Sequence, residues 1–200
     1  MGGMMRLRLL LCGSLLLGGC AAVAAVSAIP GVVVERAVGY FKGQEASLAL
    51  DMQRSLMAVQ QGLERMDLHV NVLEPVAGGY LVEFGNGELD GGVHLQRQTQ
   101  NLTTLSVSAH RGMSHQDSVE TAIIKEVRSQ SEQATEDARF DFAGYKGVYV
   151  KPDMNSNKVG WFLPGQKMHV SKSLRTGWLK IKLPSGQGGY IKGNLQDADA

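Results

Sequence analysis

The chain has 200 residues, 44% hydrophobic and 20% charged, with a formal net charge of +1 at pH 7, enough for one medium domain or two small ones. Its cysteines are Cys12 and Cys20, and if a leader carrying the first is removed, an internal disulfide and a cysteine-built zinc site are both excluded. The near-zero balance conceals a split: Glu35 to Asp141 holds 16 acidic and 9 basic residues, whereas Tyr145 to Gln196 holds 9 basic residues and one acid, Asp153. Such asymmetry suggests two units with different partners, or two halves that attract each other.

The first element is an apolar block, Leu9 to Leu17, preceded by Arg6 and Arg8 and followed by small residues. This is the order of a secretory signal, and the block is shorter than the roughly 20 apolar residues of a spanning helix. Apolar character resumes in AAVAAVSAIPGVVV, so an uncleaved anchor is the alternative. Leu17-Gly18-Gly19-Cys20 resembles a bacterial lipobox, in which small residues let an extended backbone enter a protease groove and the thiol takes diacylglycerol. Cys12 is a poor rival because bulky Leu11 precedes it. The resemblance implies a signal peptide over 1–19, lipidation (a palmitate-type anchor) at Cys20, and a tether over 20–34. Two or three acyl chains hold a protein stably, at about 0.8 kcal/mol per buried methylene. With Ala21 rather than aspartate after the cysteine, the resemblance further implies a periplasm-facing outer-membrane lipoprotein. Loss of Arg6 and Arg8 leaves 18 basic against 19 acidic residues.

From 35 to 130 the pattern is α+β. Met52, Leu56, Val59, Leu63 and Met66 fall on one face at helical spacing, with Asp51 placed as the cap. The period then changes to two in LHVNVLE, GGYLVEF, VHLQRQ and LTTLSVSAH. Gly78-Gly79, Gly85-Asn86-Gly87 and Gly91-Gly92 are read as turns between these runs. Val119, Ile123, Ile124 and Val127 predict a second helix from about Asp117. Segregated strands and helices predict an antiparallel sheet with helices on one face. With its lipobox, Ala/Val-rich tether, GYFKGQ lead-in and helix-then-meander pattern, the stretch from Leu15 to Gln130 resembles small bacterial lipoproteins whose domain has no assigned function. No catalytic motif is carried over from that resemblance.

His69, His94, His110 and His115 are read as exposed loop residues, since two histidines five apart do not share one face of a helix or of a strand. No HExxH, GxSxG, phosphate loop or dinucleotide fingerprint is present. The methionines Met52, Met57 and Met66 read as core filling. Neither a metal nor another cofactor is expected.

SQSEQATEDAR is polar and free of large apolar residues, and 131–143 is read as a linker. Five short β-rich runs follow (GVYVK, KVGWFL, KMHVSK, WLKIKL and GGYIK), with turns at Pro164-Gly165, Thr176-Gly177 and Pro184-Ser185-Gly186. Five strands in some fifty residues suit a small barrel. The unit over 144–196 resembles a bacterial SH3-like domain through Val148-Tyr149-Val150-Lys151, Ser156-Asn157-Lys158-Val159-Gly160, Pro164-Gly165-Gln166-Lys167, Gly177-Trp178-Leu179-Lys180-Ile181 and Gly186-Gln187-Gly188-Gly189-Tyr190-Ile191. It departs from that family at Lys151-Pro152-Asp153-Met154, where an Arg-Ser-Gly-Pro stretch is common.

The predicted fold class is therefore an α+β domain plus a small all-β SH3-like barrel. The second resemblance implies binding of peptidoglycan peptides or envelope-protein segments rather than catalysis. Tyr149, Trp161, Trp178 and Tyr190 are the candidate rings, and Lys151, Lys180 and Lys192 the candidate rim charges, with Trp178 and Val150 also expected in the barrel core. Anionic lipid headgroups are an alternative partner for the rim, whereas nucleic acid is not expected of an exported chain. The competing readings are a structural component with the basic barrel docked on its own acidic domain, and an enzyme of unrecognised type.

Overall fold

The computed structural model describes residues 41, 43–166 and 170–193. The expected leader, Cys20 and the tether lie outside these residues, as do Lys167 and the last residues assigned to the C-terminal unit. Among the described residues no helix is long and apolar enough to cross a membrane.

Helix α1 spans Met52–Glu64, and the Asp51 carboxylate caps it by accepting from the backbone N–H groups of Gln53 and Arg54 at 2.9 and 3.1 Å. Its buried stripe includes Leu56, Val59 and Leu63. Met52 and Met57 are buried as well, and Met66 packs against the same core. Helix α2 spans Asp117–Gln133 and buries Ile123, Ile124 and Val127. The two helices lie together over one face of a sheet built from β1 (Gln44–Leu48), β2 (His69–Val76), β3 (Gly79–Gly85), β4 (Asp90–Thr99) and β5 (Leu102–Arg111). Alternation sends Leu48, Val82, Phe84, Val93, Leu95, Leu105 and Val107 into the core beneath them.

Gly91-Gly92, read as a turn, instead lies inside β4. The reason is close packing. A Cβ at Gly91 would stand 2.2 Å from the Ser108 carbonyl oxygen and 2.5 Å from the Phe84 ring, and one at Gly92 2.1 Å from the Phe41 ring, so neighbouring backbone and aromatics approach both positions too closely for a side chain.

The five C-terminal runs form β7 (Lys146–Tyr149), β8 (Lys158–Phe162), β9 (Val170–Lys172), β10 (Trp178–Lys182) and β11 (Gly188–Lys192). They do not close into a separate barrel. The sheet is continuous and open, in the order β1-β5-β4-β3-β2-β8-β7-β11-β10-β9, with a short β6 (Ser114–His115) on β5. The expected pairing of an α+β domain with an SH3-like barrel is thus corrected, among the described residues, to one antiparallel sheet of eleven strands carrying two helices. Closure fails because β2 takes the edge of β8, pairing Val72 with Phe162 and Leu73 with Trp161.

Strand β2 is the hinge of this architecture. On one face Val70 and Leu73 join the core under the helices; on the other Val72 joins a second core of Val148, Phe162, Leu179, Ile181, Leu183 and Ile191. Val150, expected inside a barrel, is 46% exposed, and Trp178 is half-buried on the outer face. Below the second core the buried Glu74 carboxylate accepts the Ser185 N–H at 2.7 Å and the Ser185 hydroxyl at 2.6 Å.

The segment between α2 and β7 is tied down. Phe140 is buried in the main core, and the Gln60 side chain donates to the Asp141 carbonyl at 3.1 Å and accepts its N–H at 2.8 Å. The Tyr145 hydroxyl donates to the Val70 carbonyl at 2.9 Å.

Candidate functional site

Alternation along β10 and β11 turns Leu179, Ile181 and Ile191 inward and leaves Trp178, Lys180, Lys182, Tyr190 and Lys192 on the opposite, solvent side. Register then assembles a row across four strands: Lys158 pairs with Tyr149, Tyr149 with Tyr190, and Tyr190 with Lys180. Two residues along, on the same face, Trp178 is opposite Lys192. The Tyr149 and Trp178 rings meet edge to face, 5.9 Å apart and at 85°, a favoured aromatic geometry.

Two glycines make room for the lysine stems. A Cβ at Gly147 would stand 2.8 Å from Lys158 Cε, and one at Gly188 3.0 Å from Lys180 Cε. With its stem laid along the sheet, Lys158 carries its ammonium to 5.7 Å from the centre of the Trp161 ring, within cation–π range.

The structure therefore unites Tyr149, Trp178, Lys180, Tyr190 and Lys192 on one face. Trp161 is set apart: its ring packs on Phe142 at 4.9 Å and against the helix-side core, and it meets the face through Lys158. Lys151 lies in the loop beyond β7, where its backbone N–H and carbonyl bond the Ser156 hydroxyl at 3.2 and 3.1 Å. Lys158 was not among the candidates. Its signal is a register partner, visible only once the bulge between Val148 and Tyr149 is known.

The chain matches no protein-family model and no curated protein.

The histidines need a second correction. None of the four lies in a loop: His69 is on β2, His94 on β4, His110 on β5 and His115 on β6. His110 and His115 are register partners across a tight hairpin, their ring centroids 5.3 Å apart. A separation of five with a two-residue turn inside it brings two side chains to the same face, which neither single-element periodicity describes. His115 Nε2 stands 2.9 Å from Asp117 Oδ1 and 3.2 Å from Glu120 Oε1 at the start of α2. The Glu120 carboxylate is wholly buried and accepts the backbone N–H groups of Ala109 at 2.8 Å and Gln44 at 3.2 Å. These contacts join β1, β5 and β6 to α2, a structural task for a buried carboxylate.

Chemically, the aromatic–lysine face offers rings for apolar contact and ammonium groups for carboxylates.

Proposed function

We propose that the chain is a lipid-anchored envelope protein of the bacterial cell, non-catalytic, whose outer face on β7, β8, β10 and β11 binds an acidic peptide, either the peptide of the cell wall or a segment of an envelope protein. The observation that carries this reading is the Lys158–Tyr149–Tyr190–Lys180 row with Trp178 and Lys192 beside it. Flat rings cover the apolar part of a peptide at little entropic cost, and flanking ammonium groups pair with its free carboxylates. Attachment through Cys20 would keep this face near the wall.

The direct test is co-sedimentation of the purified chain with isolated peptidoglycan at low and high salt. Retention at low salt that weakens as salt screens the lysines is the expected result. Replacing Lys180 with glutamate, or Trp178 with alanine, should lower retention by about ten-fold, equivalent to ~1.4 kcal/mol. No retention at low salt would exclude the wall-binding version. Intact mass of the native protein tests the anchor, which requires Cys20 as first residue with acyl groups attached.

A second reading makes the chain a rigid structural component of an envelope assembly. The β2–β8 ladder and the Glu74–Ser185 bonds favour it, since they join the C-terminal strands to the main sheet. Small-angle scattering that stays unchanged with salt, together with failure to bind the wall, is its signature.

A further inference from the structure

The face of the sheet turned away from the helices carries a cavity of about 700 Å³, within the size range of small-ligand sites. Its floor is laid out by register. Glu45 on β1, Ser106 on β5, His94 on β4 and Leu81 on β3 follow one another across the strands. A parallel row runs Ser47, Thr104 and Gln96 and ends at Gly79, which presents no side chain. At the border, Phe41 stands over Gly92 of β4. At the far side is Ser185, held by the buried Glu74.

The donor set decides the ligand class. Among the described residues no lysine or arginine lines the cavity, so none of these side chains would neutralise a phosphate or a carboxylate. The one carboxylate among its described lining residues, on Glu45, already accepts the Ser106 hydroxyl at 3.1 Å. What remains is hydroxyl and amide chemistry from Ser47, Thr104 and Gln96, groups that both donate and accept. Apolar patches at Phe41, Leu81 and Val76 alternate with it. A ligand matching this pattern is uncharged, has hydroxyls or amides along its edges, and shows C–H surface on its faces.

We infer that this cavity binds a saccharide bearing hydroxyl and acetamido groups, laid across β1, β5, β4 and β3. Burial holds the His94 imidazole below its ordinary pKa of 6.5, against a smaller opposing pull from Glu45, so near neutral pH it offers one donor and one acceptor rather than a charge. The inference is independent of the peptide reading, because the cavity and the aromatic–lysine face share no residue.

The test uses a soluble β-1,4-linked N-acetylglucosamine tetramer, which carries neither peptide nor carboxylate. It is titrated into the purified chain by calorimetry and followed by amide chemical shifts. The expected result is saturable binding, with shifts at Ser47, His94, Gln96 and Thr104. Gln96→Leu should weaken binding about ten-fold, the worth of one hydrogen bond to a partner left unpaired. Thr104→Val tests the same row where Gln96→Leu disturbs folding; circular dichroism of each variant identifies the folded one. No saturable binding by the folded wild-type chain overturns the inference. So do shifts that map to Tyr149, Trp178 and Tyr190 instead, or binding unchanged in both folded variants.

Discussion

Glu74 shows how much one residue can decide. Burial raises its carboxyl above the ordinary value of 4.5, against the opposing pull of the Ser185 hydrogen bonds. The folded chain thus binds this proton more tightly than the unfolded chain does. The carboxyl's contribution is fully present below its ordinary pKa, and stability falls as pH rises from there through the raised value. Glu74→Gln keeps an acceptor for the Ser185 N–H and cannot titrate. Urea melts from about pH 4 to about pH 7 should therefore give a flatter stability profile for Glu74→Gln than for wild type. An identical pH slope in the two proteins would assign that dependence to other groups. Glu74→Ala, which leaves the buried Ser185 groups without their acceptor, should cost about 1–3 kcal/mol. The sequence does not show this bond: Glu74 shares the phase of Leu68, Val70 and Val72 in its alternating strand, but its partner lies 111 positions away. Asp51 was legible, because a cap acts on N–H groups two and three residues along and local spacing suffices to place it.

At the scale of elements, the junction between β2 and β8 depends on a small residue. A Cβ at Gly160 would stand 2.8 Å from the Leu73 carbonyl oxygen, and backbone cannot move aside as a flexible side chain would. Gly160→Ala should therefore push the strands apart at a cost of about 1–3 kcal/mol. Hydrogen exchange would register it as faster exchange of the Leu163 amide, which donates to the Asn71 carbonyl across that junction at 2.9 Å, with β4 still protected. Unchanged exchange at Leu163 would mean that the strands tolerate the extra carbon. Strand and helix positions were readable because each element is written in its own period: α1 in the stripe from Met52 to Leu63, β10 in the alternation of WLKIK. What an element pairs with is not written there. The Lys158–Tyr149 pairing depends on a bulge, and the His110–His115 pair on a hairpin turn; both are relations between segments. Gly91-Gly92 misled for the same reason, since what needs those glycines comes from other segments: the Ser108 carbonyl and the Phe84 ring at Gly91, and the Phe41 ring at Gly92.

For the whole molecule, the shared strand predicts shared stability. Two core clusters with β2 between them should unfold together, so tryptophan fluorescence, which reports Trp161 and Trp178 in the C-terminal strands, and far-UV circular dichroism should give coincident urea transitions. Separate midpoints would show that the two cores hold themselves up independently. The expected barrel failed at this scale. Five strands with barrel-like turns were present, as the sequence implies, and Gly165, Gly177 and Gly186 hold positive φ at those turns. Closure, however, depends on whether the edge of β8 remains available, and β2 occupies it. Tyr149, Trp178, Lys180, Tyr190 and Lys192 share a face in the open sheet because that placement rests on alternation and neighbouring register rather than on closure.

A strand that faces two cores also limits what recombination can do with this chain. The C-terminal strands could not be moved onto another protein as a bead on a string, for they would arrive without Val72 to complete their interior or Glu74 to hold the Ser185 turn. A transplant would have to carry β2 with it and would leave β3 as a bare edge of the donor sheet. The two halves differ in charge, yet they are strands of one sheet.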